Sequence, residues 1–236
     1  MSNINQLISI IIPVFNESES IGFLLDEVIS VMASHKFDFE LIVVNDGSKD
    51  NTHRVLKHLT HKIQELSVIS LRKNYGQTAA MSAGFDHSKG NIVITLDGDL
   101  QNDPNDIPKL IAEINNGYDL ICGWRFDRKD KLINRKIPSK IANQLIAQVT
   151  GLKLHDYGCS LKAFKKEIID DIKLYGELHR FLPVLANIEG AKIKEIKVNH
   201  RSRKYGSSKY GIDRTFRVLM DLLTVWFMTK FLTRPM

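Results

Sequence analysis

The chain has 236 residues, 43% of them hydrophobic and 25% charged. That is a soluble-protein composition, able to bury one substantial core or one core with a small appendage. Its 33 Lys and Arg against 27 Asp and Glu leave a formal charge of +6, which suits anionic partners such as nucleotides, lipid phosphates or an acidic membrane face. The cysteines, Cys122 and Cys159, form no C-x-x-C, which argues against a disulfide framework or a thiolate metal site.

The opening MSNINQLIS carries no basic stretch, so no secretory leader is expected and the chain is expected to face the cytosol. Apolar runs at 7–15, 39–44, 66–71, 91–96 and 119–124 then read as buried strands. The stretches 19–32, 52–59 and 78–85 between them carry helical periodicity. Strand–helix alternation with near-continuous apolar strands predicts an α/β fold, a parallel sheet covered on both faces. Ligands of such sheets bind at the carboxyl ends of the strands. Asn16–Glu17, Asn45–Asp46–Gly47–Ser48 and Asp97–Asp99 all fall at those ends.

Beyond residue 125 the pattern loosens. A basic segment at 126–140 leads to a helical stretch at 141–149, a turn and strand at 155–164, a helix at 177–188 and a strand at 193–198. A Gly/Ser-rich basic loop follows at 199–211. The spacing places one domain at 1–211 and an extension at 212–236. Residues 212–232 are strongly apolar, but Arg214, Arg217, Asp221 and Lys230 interrupt them, and the longest charge-free run, Leu222 to Thr229, is too short to span a bilayer. Phe216, Leu219, Leu223, Trp226 and Phe227 share one side at helical spacing, as in an amphipathic helix at a membrane interface. A final helix packed on the core, or a homo-oligomer contact, is the alternative.

The segment ITLDGDLQND (94–103) carries the chemistry. Two carboxylates one residue apart repel each other, and a cation relieves that repulsion. Oxygen-only donors, with Gln101 adding an amide oxygen, suit Mg²⁺ or Mn²⁺ shared with substrate phosphates. A plain Asp/Gly turn is the competing reading. No G-x-G and no G-x-x-x-x-G-K-[ST] occurs, which excludes the dinucleotide fingerprint and the P-loop. His53, His58 and His61 lack the i, i+4 pairing of a zinc helix and read as a solvated face.

Together, IIPVFNE (11–17), VVNDGSKDNT (43–52), LDGDLQNDP (96–104), GWR (123–125) and RKYGSSKYG (203–211) resemble, in order and spacing, family 2 glycosyltransferases of the GT-A fold. More narrowly, they are similar to the dolichol-phosphate mannose synthase branch and its bacterial polyprenyl-phosphate relatives. The resemblance implies that Pro13, Phe15 and Glu17 line the base, with Val44 and Asp46 beside them. It implies that Asp97 and Gly98 hold the nucleotide, and that Asp99 and Gln101, with Asp97 adjoining, hold the metal. Arg125, Arg135, Arg203 and Lys209 are then the phosphate-binding cations, and Asp99, Arg125, Arg203 and Lys209 the catalytic set. Phe15 stands where the family often has Tyr, and Asn45 where a second aspartate is common.

A nucleotide-diphosphate sugar donor (GDP-mannose or a UDP-hexose) and a polyprenyl or dolichyl phosphate acceptor are the implied substrates. A phosphate acceptor is mostly dianionic at pH 7 and attacks without a base, whereas a sugar hydroxyl needs a positioned carboxylate. The second half is rich in cations and short of an obvious base, with Asp156 the best stand-in. The rival readings are transfer to a saccharide or protein hydroxyl, and nucleotide-sugar binding without turnover. Few aromatics interleave with the basic residues, which speaks against nucleic acid. Members of the branch commonly continue past this segment into transmembrane helices. The expected place is the cytoplasmic face of the membrane, peripheral, or integral where a longer chain continues past Met236.

Overall fold

The computed structural model describes residues 6–126, 144, 146–148, 150–205, 220 and 223–227. The first half runs β1 (Ile8–Val14), α1 (Ile21–Ser34), β2 (Phe39–Asn45), α2 (Thr52–Thr60), β3 (Leu66–Ser70), α3 (Gln77–His87) and β4 (Ile92–Thr95). A 3₁₀ turn at Pro104–Asp106 leads into α4 (Ile107–Asn115) and β5 (Leu120–Arg125). The second half supplies β6 (Lys162–Lys165), α5 (Lys166–Asp171), a 3₁₀ turn at Leu178–Phe181, α6 (Leu182–Ile188) and β7 (Ile193–Val198).

The strands form one seven-stranded sheet in the order β3-β2-β1-β4-β6-β5-β7. β1 pairs in parallel with β2 and β4, β2 with β3, and β5 with β7. β6 alone runs antiparallel, wedged between β4 and β5. The expectation of a parallel sheet therefore holds except at β6, because apolar patterning fixes which residues are buried but not which way a short strand runs. Residues 155–161, expected as turn and strand, are turn. The helix expected at 177–188 is a 3₁₀ turn followed by α6.

The strands read as continuous apolar runs because both faces are covered. Ile8, Ile10 and Ile12 of β1 join Leu24, Leu25, Val28, Leu110 and Ile111 of α1 and α4 in one layer. Ile11, pointing the other way, joins Ala80, Met81 and Phe85 of α3 and Leu182 of α6 in the other. α4 was not anticipated, although Ile107, Leu110, Ile111 and Ile114 are buried at helical spacing. Asp103 opens the turn before it by accepting the Asn105 amide.

A third cluster gathers Ile146, Tyr157, Phe181, Val184 and Val225. Of the segment 212–236, residues 220 and 223–227 are described and helical. Val225 is buried while Leu223, Trp226 and Phe227 are exposed. Among the described residues, no helix is long and apolar enough to cross a membrane.

α3 lies so close to β1 that a Cβ at Gly84 would sit 2.4 Å from Ile11 Cγ2, in the buried core, whereas one at Gly22 of α1 meets nothing within 4 Å. Gly84→Ala is expected to destabilise by about 1–3 kcal/mol through overpacking. Gly22→Ala is expected to stabilise by up to about 1 kcal/mol through helix propensity. Urea unfolding of both variants checks the pair of opposite signs.

Candidate active site

Parallel strands deliver their carboxyl ends to one edge of the sheet, and the leading end of antiparallel β6 reaches the same edge. That edge gathers the turns after β1, β2 and β4, Arg125 at the end of β5, the turn at 155–161 and the segment 199–205 after β7. The expected convergence of acidic strand ends is present, and the second half of the chain brings its cations to meet them.

The first two turns are tied together. Asn16, in the left-handed region at φ 54°, donates its amide to Ser48 Oγ (2.9 Å) and accepts the Lys49 amide at Oδ1 (2.7 Å). The Glu17 amide donates to Thr52 Oγ1 (2.8 Å), and its carboxylate accepts from the Ser20 hydroxyl (2.8 Å). Pro13 and Phe15 are half-buried in this wall. Val44 is fully buried in the layer that packs on α3. Asp46 accepts the amides of Tyr75 (2.7 Å) and Gly76 (2.9 Å), bracing the loop that opens α3. Burial raises its pKa, and the two amides offset this only in part.

Gly98 occupies a place where no side chain fits, since a Cβ there would lie 2.7 Å from Val14 Cγ1. It lets the β4 turn press against the end of β1 and holds Asp97 and Asp99 on either side. Asp97 Oδ1 accepts from Gln77 Nε2 (2.7 Å). Asp99 is 7% exposed. Its Oδ1 accepts the Gln101 amide (3.1 Å) and its Oδ2 accepts Arg203 Nη2 (2.5 Å). Gln101 Oε1 accepts from the same nitrogen at 3.2 Å. Burial first, and then repulsion from Asp97, push the Asp99 carboxyl up to about 6 against the pull of Arg203.

Two oxygens from different residues thus converge on one cationic nitrogen, and both are hard donors of the kind Mg²⁺ or Mn²⁺ prefers. Among the described residues no three His, Cys, Asp or Glu group tightly enough to cage a metal alone. A divalent cation held by Asp99 and Gln101, with Asp97 adjoining, would complete its shell with water and substrate oxygens, the usual arrangement for Mg²⁺.

Arg125 donates from Nε to Asp156 Oδ2 (2.6 Å) and from Nη2 to Asp156 Oδ1 (2.9 Å), a bidentate pair. Burial works against the guanidinium charge, but Asp156 outweighs it and raises the Arg125 pKa further. Asp156 also accepts the Gly158 amide (3.1 Å). Glu195 of β7 in turn accepts the amides of His155 (2.9 Å) and Asp156 (2.8 Å). On the other flank Arg201 bridges Glu27 Oε2 (2.6 Å) and Asp103 Oδ1 (2.8 Å), and its amide donates to the Gln101 carbonyl (2.8 Å).

Of the cations expected to bind phosphate, Arg125 and Arg203 stand at this edge, while Arg135 and Lys209 lie outside the described residues. Gln77, Glu195 and the bracing role of Arg201 escaped sequence reasoning. Their partners lie far off in the chain, and no local periodicity marks them. His53, His58 and His61 are exposed, as expected of a solvated face.

Because the folded Asp99 carboxyl titrates above its ordinary 3.8, its favourable share of stability is complete below about pH 4 and is lost as pH rises through about 6. In chelator, Asp99→Asn is therefore expected to raise the unfolding free energy at pH 8 by on the order of 1–3 kcal/mol, with the gain vanishing near pH 4. Thermal or urea unfolding at the two pH values measures the difference.

The family model for Glycosyl transferase family 2 matches residues 9–173. The chain is 48% identical over 232 residues to dodecaprenyl-phosphate galacturonate synthase of Rhizobium johnstonii, covering 97% of this chain and 69% of that protein. It is 42% identical over 219 residues to undecaprenyl-phosphate 4-deoxy-4-formamido-L-arabinose transferase of Proteus mirabilis, covering 92% and 67%. Among solved structures, glucosyl-3-phosphoglycerate synthase from Mycobacterium tuberculosis, in complex with Mn²⁺ and UDP-glucose, superposes with a TM-score of 0.71 at 18% identity. That match covers 95% of this chain and 79% of the other, a likeness of fold. On the family match and these relatives, the chain belongs to glycosyl transferase family 2 and is a glycosyltransferase with the GT-A architecture.

Proposed function

We propose that this protein transfers a sugar from a nucleotide-diphosphate sugar to a polyprenyl phosphate, with Mg²⁺ or Mn²⁺ held by Asp99, Gln101 and Asp97. One observation carries the choice of acceptor. Asp156, the best stand-in for a base in the second half, spends both carboxylate oxygens on Arg125, so it serves as the brace of a phosphate-binding cation. A hydroxyl acceptor needs a base at that place, whereas a phosphate monoester brings its own negative charge. The names of both relatives, each a transferase or synthase of a polyprenyl phosphate, support the same choice.

The cation, when bound, neutralises charge on the departing diphosphate. This chain's own residues do the rest. The walls at Pro13, Phe15, Glu17 and Asp46 receive the nucleoside, and Asp97 and the close-packed Gly98 bring the diphosphate to the sheet edge. Arg125, fixed by Asp156, and Arg203 offset the charge that builds between attacking and leaving phosphates. Attack in line with the leaving diphosphate inverts the anomeric centre. A cleft of about 520 Å³ beside this site is lined by Phe126, Lys197, His200, Arg201 and Lys204 among others. Lys197 and Lys204 beside the Phe126 ring suit a phosphate carried on a hydrocarbon.

The acceptor lies at a bilayer surface, so the site opens toward the cytoplasmic headgroups. Leu223, Trp226 and Phe227, exposed on the helical residues 223–227, form an apolar surface for that contact. Val225 anchors it to the core.

Undecaprenyl phosphate and undecaprenol, offered with a panel of UDP- and GDP-linked sugars, separate the acceptor classes. Product is expected from the phosphate alone, lost in EDTA and restored by Mg²⁺ or Mn²⁺. Preferential use of the alcohol returns the hydroxyl reading, and full activity in EDTA removes the metal. Arg125→Ala is expected to cost about 2–4 kcal/mol in transfer, or roughly thirty- to thousand-fold in rate, measured as kcat/KM on the lipid phosphate. Sedimentation with anionic vesicles is expected at low salt, and to fall when Trp226 and Phe227 are both changed to Ser.

A further inference from the structure

Arg203 Nη2 touches Asp99 Oδ2 and Gln101 Oε1 at 2.5 and 3.2 Å, oxygens of two of the residues that the proposed reaction gives to the divalent cation. We propose that the Arg203 guanidinium occupies the cation's place in the metal-free enzyme, so that metal entry and the release of Arg203 toward substrate phosphate are a single exchange. The inference rests on the reading of Asp99 and Gln101 as metal ligands and adds a regulation of that site.

Geometry makes the two occupants exclusive. Mg²⁺ binds oxygen at about 2.0–2.1 Å, so a metal on Asp99 Oδ2 and Gln101 Oε1 takes the space that the nitrogen fills. Two cations that close, beside the buried Asp99 carboxylate, also repel each other. Charge favours the metal: Asp97 and Asp99 carry two negative charges when ionised, of which a guanidinium balances one and a divalent ion both.

The exchange needs no rearrangement of the sheet. Arg201, two residues before Arg203, is fastened to Glu27, Asp103 and the Gln101 carbonyl. Two residues after it, the Tyr205 ring stacks on Phe23 with centroids 6.1 Å apart. The main chain is thus anchored on both sides. The Arg203 side chain, about a quarter exposed, is the part free to swing. Its two stations are the carboxylate when metal is absent and the phosphates when metal is present. Donor and metal then bind before Arg203 can serve the acceptor phosphate, which predicts ordered addition.

Binding of Mn²⁺ alone, followed by the electron paramagnetic resonance signal of free Mn²⁺, tests the exchange without turnover. Arg203→Gln is expected to bind Mn²⁺ at least about 10-fold more tightly than the wild type, with Arg203→Lys between them and Asp99→Asn losing the site. Thermal unfolding establishes that each variant is folded, and if Arg203→Gln is not, Arg203→Lys decides. Equal or weaker binding by the Arg203 variants, with Asp99→Asn still deficient, overturns the exchange and leaves the metal site standing. If Asp99→Asn binds as well as the wild type, or none of the proteins binds Mn²⁺, the metal reading falls and the exchange with it.

Discussion

The direction of the strands is the constraint on which the rest of the molecule depends. Parallel pairing of β1 with β2 and β4 obliges their carboxyl ends to share one edge, and each of those ends carries a polar or acidic turn. The antiparallel β6 does not break this arrangement. It turns β5 and β7 parallel to the first four strands, so Arg125 and the segment after Val198 arrive at the edge where the carboxylates already stand. Carboxylates and guanidinium groups from opposite halves of the chain meet because one short strand runs backwards.

The electrostatics of that edge are unequal in a useful way. Arg125 is matched by Asp156 in a closed bidentate pair, so its position is settled before substrate arrives. Asp99 is desolvated and pressed by Asp97, and the Arg203 guanidinium on it offsets that cost only in part. One half of the site is thus stable and pre-arranged, and the other half stays poised to gain from an incoming charge. Both are what transfer between two phosphates requires, since catalysis there is largely positioning and charge compensation.

Much of this was legible in the residues. The continuous apolar runs gave the two-faced sheet, and the strand-end turns gave Asp46, Asp97 and Asp99, because burial on both faces and turn chemistry are local signals. Gly98 could be read as a close-approach position only once β1 and β4 were known neighbours, since its clash is with Val14. The reversal of β6 was not readable: Lys162–Lys165 is a short strand whose pattern is the same in either direction. Nor was the Arg125–Asp156 pair, or the hold of Glu195 on the turn at 155–156, since partners far apart in the chain leave no periodicity. The charged loop read as a phosphate grip because of its composition. Its contact with Asp99 follows from the fold, which brings residue 203 to the β4 turn.

The strand order has a consequence for synthesis as well as for chemistry. Both sheet neighbours of β5, namely β6 and β7, come after it in the chain. A nascent protein that has emerged only as far as Arg125 can close β1 to β4 and present Asp46, Asp97 and Asp99, but β5 has nothing to pair with. It must wait for Lys162–Lys165 to insert, and for Ile193–Val198 to cover its outer side, long-range pairings of the slow-forming kind. Arg125, Asp156, Glu195 and Arg203 consequently take their places only after β6 and β7 have paired with β5. The carboxylates of the first half can thus be in place while Arg125 and Arg203 still wait for nearly the whole domain to be made.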